Sequence, residues 1–135
     1  MITLLLAFAC STPAPVAEPV APLASVPVAP TALAARKDVT VEDLEAARQK
    51  GARIVDVRTP EEFAGGHVPG AQNFPIDQLD PMSADAWSKD EPIYLICGVG
   101  GRSKVAADKL AAAGYDARNV LGGTTEWQAK GFPVE

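Results

Sequence analysis

The stretch that decides the fold runs from residue 93 to residue 113 and reads IYLICGVGGRSKVAADKLAAA. Its first four residues are apolar and partly β-branched, which predicts a buried strand. Cys97 ends that strand, and three glycines follow within the next four residues. From Val105 onward the apolar residues have helical spacing, and Gly114 stands where a helix ends in a left-handed residue. The sequence therefore predicts a thiol in a glycine-rich loop between a strand and a helix.

The composition of this loop favours a negative charge beside Cys97. Gly98, Gly100 and Gly101 can adopt positive φ angles, so the loop can turn its backbone N–H groups towards one point. These donors and the following helix N-terminus favour the thiolate, which is the nucleophilic form of cysteine, and Arg102 adds a fixed cation. We expect a nucleophilic Cys97 that handles an anionic substrate or intermediate. The alternative is a small buried cysteine in a plain strand-to-helix turn.

Segments on either side of this stretch predict an α/β fold. Residues 53–57, 71–74 and 117–121 are typical of further short strands, with helical patterns between them. Alternating strands and helices pair in parallel with helices on both faces. We therefore expect a three-layer α/β/α domain with a mostly parallel central sheet of about five strands. The carboxyl ends of its strands then bring Arg58 to the same edge as Cys97.

Local signals also mark the ends of helices. Val39 and Thr40 are typical of a short first strand, and Thr40 precedes Asp43 by three positions, which predicts a capping box at the start of the next helix. Near the end of the chain, Thr124 or Thr125 is expected to cap a final helix. Residues 75–87 predict a looser helical region, in which the expected packing side chains are Ile76, Leu79, Met82 and Trp87.

Three motifs, in order along the chain, resemble segments of one family. They are FAGGHVPGAQNF at residues 63–74, CGVGGRS at 97–103 and LGGTTEWQAKGFPV at 121–134. On these motifs the chain is similar to single-domain rhodaneses, which are sulfurtransferases with a rhodanese-like α/β/α fold. The resemblance covers about residues 38–135.

This resemblance implies a reaction. Cys97 takes a sulfane sulfur from thiosulfate or a similar donor, forms a persulfide, and passes the sulfur to a thiol or cyanide acceptor. Such a cycle needs no metal and no organic cofactor. The expected substrate-binding residues form the loop after the cysteine: Gly98, Val99, Gly100, Gly101, Arg102 and Ser103.

Two residues outside the loop are candidates for the site. Arg58, in the turn after the second strand, is expected to contact an anionic substrate. It could instead form a salt bridge with one of its acidic neighbours, which are Asp56, Glu61 and Glu62. His67 is the only histidine, and within its GHVPGA motif it is expected to hold a turn rather than to form a Cys–His catalytic pair.

Two other functions are compatible with these residues. A cysteine, a cradle of N–H groups and an arginine also form the phosphate site of a phosphatase. Cys97 and Arg102 are separated by four residues, one fewer than in the rhodanese-related cell-cycle phosphatases, and the shorter loop favours sulfur. The other alternative is a persulfide carrier or interaction module that does not turn over.

The amino-terminal third predicts a segment apart from the domain. We divide the chain into a signal or lipobox-like segment at 1–10, a Pro/Ala-rich disordered tether at 11–36 and the domain at 37–135. Small residues before Cys10 resemble the cleavage site of bacterial lipoproteins, which predicts lipidation of Cys10 and an extracytoplasmic location. An ordinary cleaved signal or an apolar tail is the alternative, and without a signal the protein would be cytoplasmic.

Charge and cysteine content exclude some classes of protein. The formal net charge is −5 and there is no basic stripe, so we expect no nucleic-acid partner. Two cysteines are too few for a disulfide framework or a zinc site with paired spacing. A membrane is expected as a partner only through the lipid on Cys10.

Overall fold

A central sheet of five strands organises the part of the chain that the computed structural model describes, residues 35–135. The predictions for the signal segment, Cys10 and most of the tether lie outside these residues. The strands are β1 (Lys37–Val39), β2 (Arg53–Asp56), β3 (Gln72–Asn73), β4 (Ile93–Ile96) and β5 (Ala117–Val120). Their order in the sheet is β1-β5-β4-β2-β3, and every neighbouring pair is parallel.

Helices cover both faces of this sheet. They are α1 (Val41–Gln49), α2 (Pro60–Ala64), α3 (Gly101–Ala112) and α4 (Gly123–Ala129). One apolar cluster joins α3 to the face that carries Leu95, and a second joins α1 and α4 to the face that carries Ile96. Trp127 is fully buried in the second cluster. The predicted three-layer α/β/α architecture with a five-stranded sheet is confirmed.

The starts of α1 and α2 follow from short polar motifs. Thr40 and Asp43 form the predicted capping box, in which each side chain accepts a hydrogen bond from the other residue's backbone N–H. Thr59 and Glu62 form a second box at α2, with Pro60 in the first turn, where a missing N–H costs nothing.

The region between β3 and β4 differs from its prediction. Residues 75–92 form turns rather than a helix, and Met82 is 84% exposed, so its predicted packing role is wrong. Pro81 has no N–H to continue a helix, and the Tyr115 hydroxyl donates to the Ala84 carbonyl oxygen and holds the turns against the core. Leu79 is buried as predicted.

The start of α4 also differs from its prediction. Thr124 and Thr125 both lie inside the helix, and its N-cap is Gly122, which has a φ of +73° and makes no side-chain capping bond. Among residues 35–135, no helix has the length and apolar character needed to cross a membrane.

Candidate active site

Cys97 directly follows β4, and the loop after it curls around its sulfur. The Sγ atom accepts a hydrogen bond from the Gly100 N–H at 3.1 Å and lies 3.4 Å from the Ser103 Oγ. Gly100 has a φ of +97°, a conformation that residues with a Cβ rarely adopt. Cys97 is 1% exposed and packs with the core under α3. The thiol is therefore buried, but it is buried among hydrogen-bond donors.

These donors lower the pKa of Cys97. Burial raises the pKa of the thiol, because it disfavours the charged form. Hydrogen bonds from the Ser103 hydroxyl and from the backbone N–H groups of Ser103, Gly100 and Val99 lower it by more. The net effect is a pKa below the ordinary value, which increases the fraction of nucleophilic thiolate at neutral pH.

The first turn of α4 holds the loop from outside. The Thr124 N–H donates to the Cys97 carbonyl oxygen at 2.8 Å, and the Thr125 N–H donates to the Gly98 carbonyl oxygen at 3.0 Å. These two donors are among the N–H groups that a helix leaves without internal partners at its N-terminus. A helix end of the domain thus holds two carbonyl groups of the loop that begins at Cys97.

Gly123 makes this close approach possible. Its φ is +58°, and a Cβ at this position would overlap the Cys97 carbonyl oxygen and lie 2.6 Å from the Gly98 carbonyl oxygen. Real Cβ atoms do not approach backbone atoms so closely. Gly123 therefore permits contact with the loop after Cys97, whereas a Cβ at Gly122 would meet the side chain of Glu126. The sequence motif alone did not reveal this difference.

Arg102 lies over the loop and is held by Glu62. Its Nη1 and Nη2 atoms donate to the two carboxylate oxygens of Glu62, both at 2.7 Å. The Arg102 guanidinium, with help from the Thr59 backbone N–H, lowers the pKa of Glu62 to about 2. Pairing with Glu62 raises the pKa of Arg102, and the charge of Cys97 adds to that rise. The predicted cation is thus present at the loop, acts on the charge of Cys97 and is shared with a carboxylate.

Arg58 forms the ion pair that the sequence left as an alternative. Its Nη2 donates to Asp56 Oδ2 at 2.7 Å and to the Gly66 carbonyl oxygen at 2.8 Å, while its Nε lies 3.0 Å from both carboxylate oxygens of Asp56. Both side chains are buried. Arg58 therefore ties β2 to the turn before β3, and its contact with substrate stays a prediction.

His67 has the contacts of a structural residue. Its ring stacks on Phe63 with 3.6 Å between centroids, and its Nδ1 lies 3.0 Å from the Phe63 carbonyl oxygen. Its backbone N–H and carbonyl oxygen both pair with Glu135. These contacts fit the turn-holding role expected for this histidine.

The sequence did not reveal Asn119. It lies in β5, is 2% exposed and accepts a hydrogen bond from the Ser103 hydroxyl at 2.7 Å. A buried amide near the carboxyl end of a strand was the available signal, because that end of a parallel sheet is where Cys97 lies.

Of the other predicted loop residues, Gly98 is half-buried beside Arg102, Gly101 is the first residue of α3, and Val99 is 73% exposed. Within residues 35–135, no group of three or more His, Cys, Asp or Glu residues is placed to hold a metal ion.

Known proteins are similar to this chain in sequence and in structure. A family model described as Rhodanese-like domain matches residues 40–130. Thiosulfate sulfurtransferase GlpE of Pseudomonas putida is 34% identical over 93 residues, which are 68% of this chain and 83% of the relative. Thiosulfate sulfurtransferase 16, chloroplastic, of Arabidopsis thaliana is 36% identical over 98 residues, 63% of this chain and 81% of the relative. The crystal structure of a rhodanese-like domain protein from Staphylococcus aureus superposes with a TM-score of 0.62 at 38% identity, over 67% of this chain and 90% of the other.

Proposed function

Because the chain belongs to the rhodanese-like domain family, we propose that it moves a sulfane sulfur from thiosulfate or a similar donor to a thiol or cyanide acceptor, with Cys97 as the carrier of the sulfur. One observation carries this proposal. The Cys97 sulfur accepts a hydrogen bond from the Gly100 N–H at 3.1 Å, in a loop whose donors lower its pKa. A plain buried cysteine has no such surroundings.

The reaction has two displacement steps. The Cys97 thiolate attacks the outer sulfur of thiosulfate, the sulfur–sulfur bond of the donor breaks, and sulfite leaves with the electron pair. The product is a persulfide whose terminal sulfur is negative, and the backbone N–H groups of the loop stabilise that charge. Cyanide then attacks the terminal sulfur, thiocyanate forms, and the Cys97 thiolate returns with the electrons of the broken bond.

The test is steady-state turnover by the full chain. Incubation with thiosulfate and cyanide is expected to form thiocyanate continuously, well beyond one molecule for each protein molecule. A persulfide carrier would instead gain one sulfur atom on Cys97, deliver it once and stop. A single burst of product, with that mass increase on the peptide that carries Cys97, would contradict the enzymatic proposal and support the carrier.

Arg102 is expected to contribute to donor binding. Replacing Arg102 by glutamine should raise the KM for thiosulfate about 10-fold, a loss of about 1.4 kcal/mol, with less than about a threefold change in kcat. The reason is that Arg102 is a cation of the loop that acts on the charge of Cys97, whereas thiosulfate is an anion. Thiosulfate saturation curves measure both constants.

A matched control for Arg102→Gln is Lys130→Gln, which removes a cation that pairs with Glu42 instead. This control should leave the KM for thiosulfate within about twofold of the original value. Equal KM values for the original protein and Arg102→Gln would show that Arg102 does not bind the donor.

We also propose that the protein is exported and anchored by a lipid on Cys10. The support is the apolar run at residues 1–9, which ends in small residues before Cys10. Replacing Cys10 by alanine should move most of the protein from the membrane fraction of cells to the soluble fraction, as blots of the two fractions will show. Cys97→Ser, the matched control, should stay with the membrane. An original protein found in the soluble fraction would contradict the anchor.

A further inference from the structure

Three acceptors lie close to the Ser103 hydroxyl, which has only one proton to donate. The Asn119 Oδ1 is 2.7 Å from the Ser103 Oγ, the Gly100 carbonyl oxygen is 3.2 Å away, and the Cys97 Sγ is 3.4 Å away. Asn119 is thus the nearest acceptor. When the hydroxyl proton points to Asn119, it cannot also point to the sulfur.

Asp38 sets the orientation of the Asn119 amide. The Asn119 Nδ2 donates to Asp38 Oδ1 at 2.9 Å, and the two residues are register partners on β5 and β1. This hydrogen bond is the largest cause of the lowered pKa of Asp38, so the carboxylate is charged at neutral pH and can only accept. A flipped amide would set two oxygen acceptors against each other, and the Asn119 carbonyl oxygen therefore faces Ser103.

We propose that Asn119 is a positioning residue that competes with the Cys97 sulfur for the single hydroxyl proton of Ser103. The proposal rests on the function proposed above, because it concerns the thiol that carries the sulfur. In the thiol form, Ser103 donates to Asn119. When the thiolate forms, the hydroxyl rotates and donates to the sulfur, and the Asn119 carbonyl oxygen loses its donor.

The same competition accompanies sulfur loading. In the persulfide the negative charge lies on the terminal sulfur rather than on the Cys97 Sγ. The Ser103 hydroxyl can then return to Asn119, while the loop N–H groups hold the terminal sulfur. Asn119 thus favours the two states without charge on Sγ, which are the thiol and the loaded persulfide.

Three ion pairs lie around the loop, and Lys104, which follows Ser103 in α3, also acts on the charge of Asp38. Arg102 with Glu62 lies on the loop side, and the other pairs on neighbouring strands are Arg58 with Asp56 on β2 and Arg36 with Asp38 beside β1. An uncharged replacement of Asn119 leaves the first two pairs in place. Its effect on Cys97 therefore reports on the Ser103 hydroxyl.

The test is the rate of alkylation of Cys97 by iodoacetamide in the full chain, measured across pH. Mass spectrometry of the peptide that carries Cys97 separates it from Cys10. Asn119→Leu, similar in volume, should alkylate about fivefold faster at a pH below the titration of Cys97, because the hydroxyl is free to stabilise the thiolate. Ser103→Ala should alkylate about fivefold slower for the opposite reason.

The double variant separates competition from a general structural effect. In the Ser103→Ala background, Asn119→Leu should change the alkylation rate by less than about twofold, because no hydroxyl remains to be released. A purely structural role of Asn119 would give the same change in both backgrounds. Asn73→Leu is a matched control at the end of β3, where Asn73 binds backbone carbonyl groups, and it should not accelerate alkylation.

A second variant keeps the test valid if Asn119→Leu fails to fold. Asp38→Asn changes a partly exposed side chain and lets the Asn119 amide flip, so it should accelerate alkylation about twofold. Asp108→Asn removes another charged partner of the same arginine, Arg36. Because Asp108 does not contact Asn119, this variant should not change the alkylation rate. If neither Asn119→Leu nor Asp38→Asn is faster than the original protein, the proposal is overturned.

Alkylation needs no sulfur donor, so this test is independent of turnover. A protein with normal thiocyanate formation and no effect of Asn119→Leu would keep the proposed function and lose the competition. A protein without turnover, in which Asn119→Leu and Ser103→Ala still act in opposite directions, would keep the competition and lose the function.

Discussion

Replacing Cys97 by serine is expected to reduce thiocyanate formation from thiosulfate and cyanide at least about a thousandfold. A serine hydroxyl stays protonated at neutral pH, even with the Gly100 N–H directed at it, and it cannot form a persulfide. Serine is similar in size to the buried cysteine side chain that it replaces, which is 1% exposed, so the fold should be retained. A colorimetric thiocyanate assay measures the rate, and circular dichroism checks the fold.

Cys10 offers a matched control for this experiment. Cys10→Ser makes the same chemical change at the other cysteine of the chain and should leave the turnover of purified protein unchanged. The enzymatic role of Cys97 would be contradicted if Cys97→Ser kept more than about one hundredth of the activity. Equal losses in the two variants would point to a requirement that is not specific to Cys97.

Replacing Gly123 by alanine is expected to reduce turnover at least about 100-fold and to destabilise the domain by about 3 kcal/mol or more. The added Cβ overlaps the Cys97 carbonyl oxygen and comes within 2.6 Å of the Gly98 carbonyl oxygen. Because neither backbone group can move without moving the loop, α4 must shift and its hydrogen bonds to the loop are lost. Thiocyanate formation and urea denaturation measure the two effects.

Gly131→Ala separates the collision from backbone strain. Gly131 has a φ of +74°, similar to the +58° of Gly123, but a Cβ there meets nothing within 4 Å. This variant should lose about 1–2 kcal/mol from the left-handed backbone alone and should keep its turnover. If Gly123→Ala loses no more turnover than Gly131→Ala, contact between α4 and the loop is not required for the reaction.

The sequence was most informative where the signals are local. The strand, loop and helix over residues 93–113 are present as predicted, because an apolar run, a glycine cluster and a helical pattern each act over a few neighbouring residues. The capping box of Thr40 and Asp43 is confirmed for the same reason. The glycines predicted backbone N–H donors directed at Cys97, and the Gly100 N–H donates to its sulfur.

Contacts between distant positions were not readable from the sequence. The Arg102–Glu62 pair spans 40 positions, and the bond from Ser103 to Asn119 spans 16. Threonine commonly caps helices, so the sequence predicts a threonine at the start of α4, whereas contact with Cys97 and Gly98 requires a glycine. Contact between α4 and the loop after Cys97 thus determined where α4 begins, and local capping propensity did not predict that position.

The pairing of β1 with β5 has a consequence for synthesis on the ribosome. Asp38 and Asn119 are 81 positions apart, so the earliest and latest strands of the described domain are neighbours in the sheet. A nascent chain that ends before residue 117 has made Cys97 and its glycine loop, but it lacks β5 and α4. The Cys97 thiol is therefore translated before the residues that restrain its loop, and it reaches its final surroundings only when the carboxyl-terminal segment has emerged.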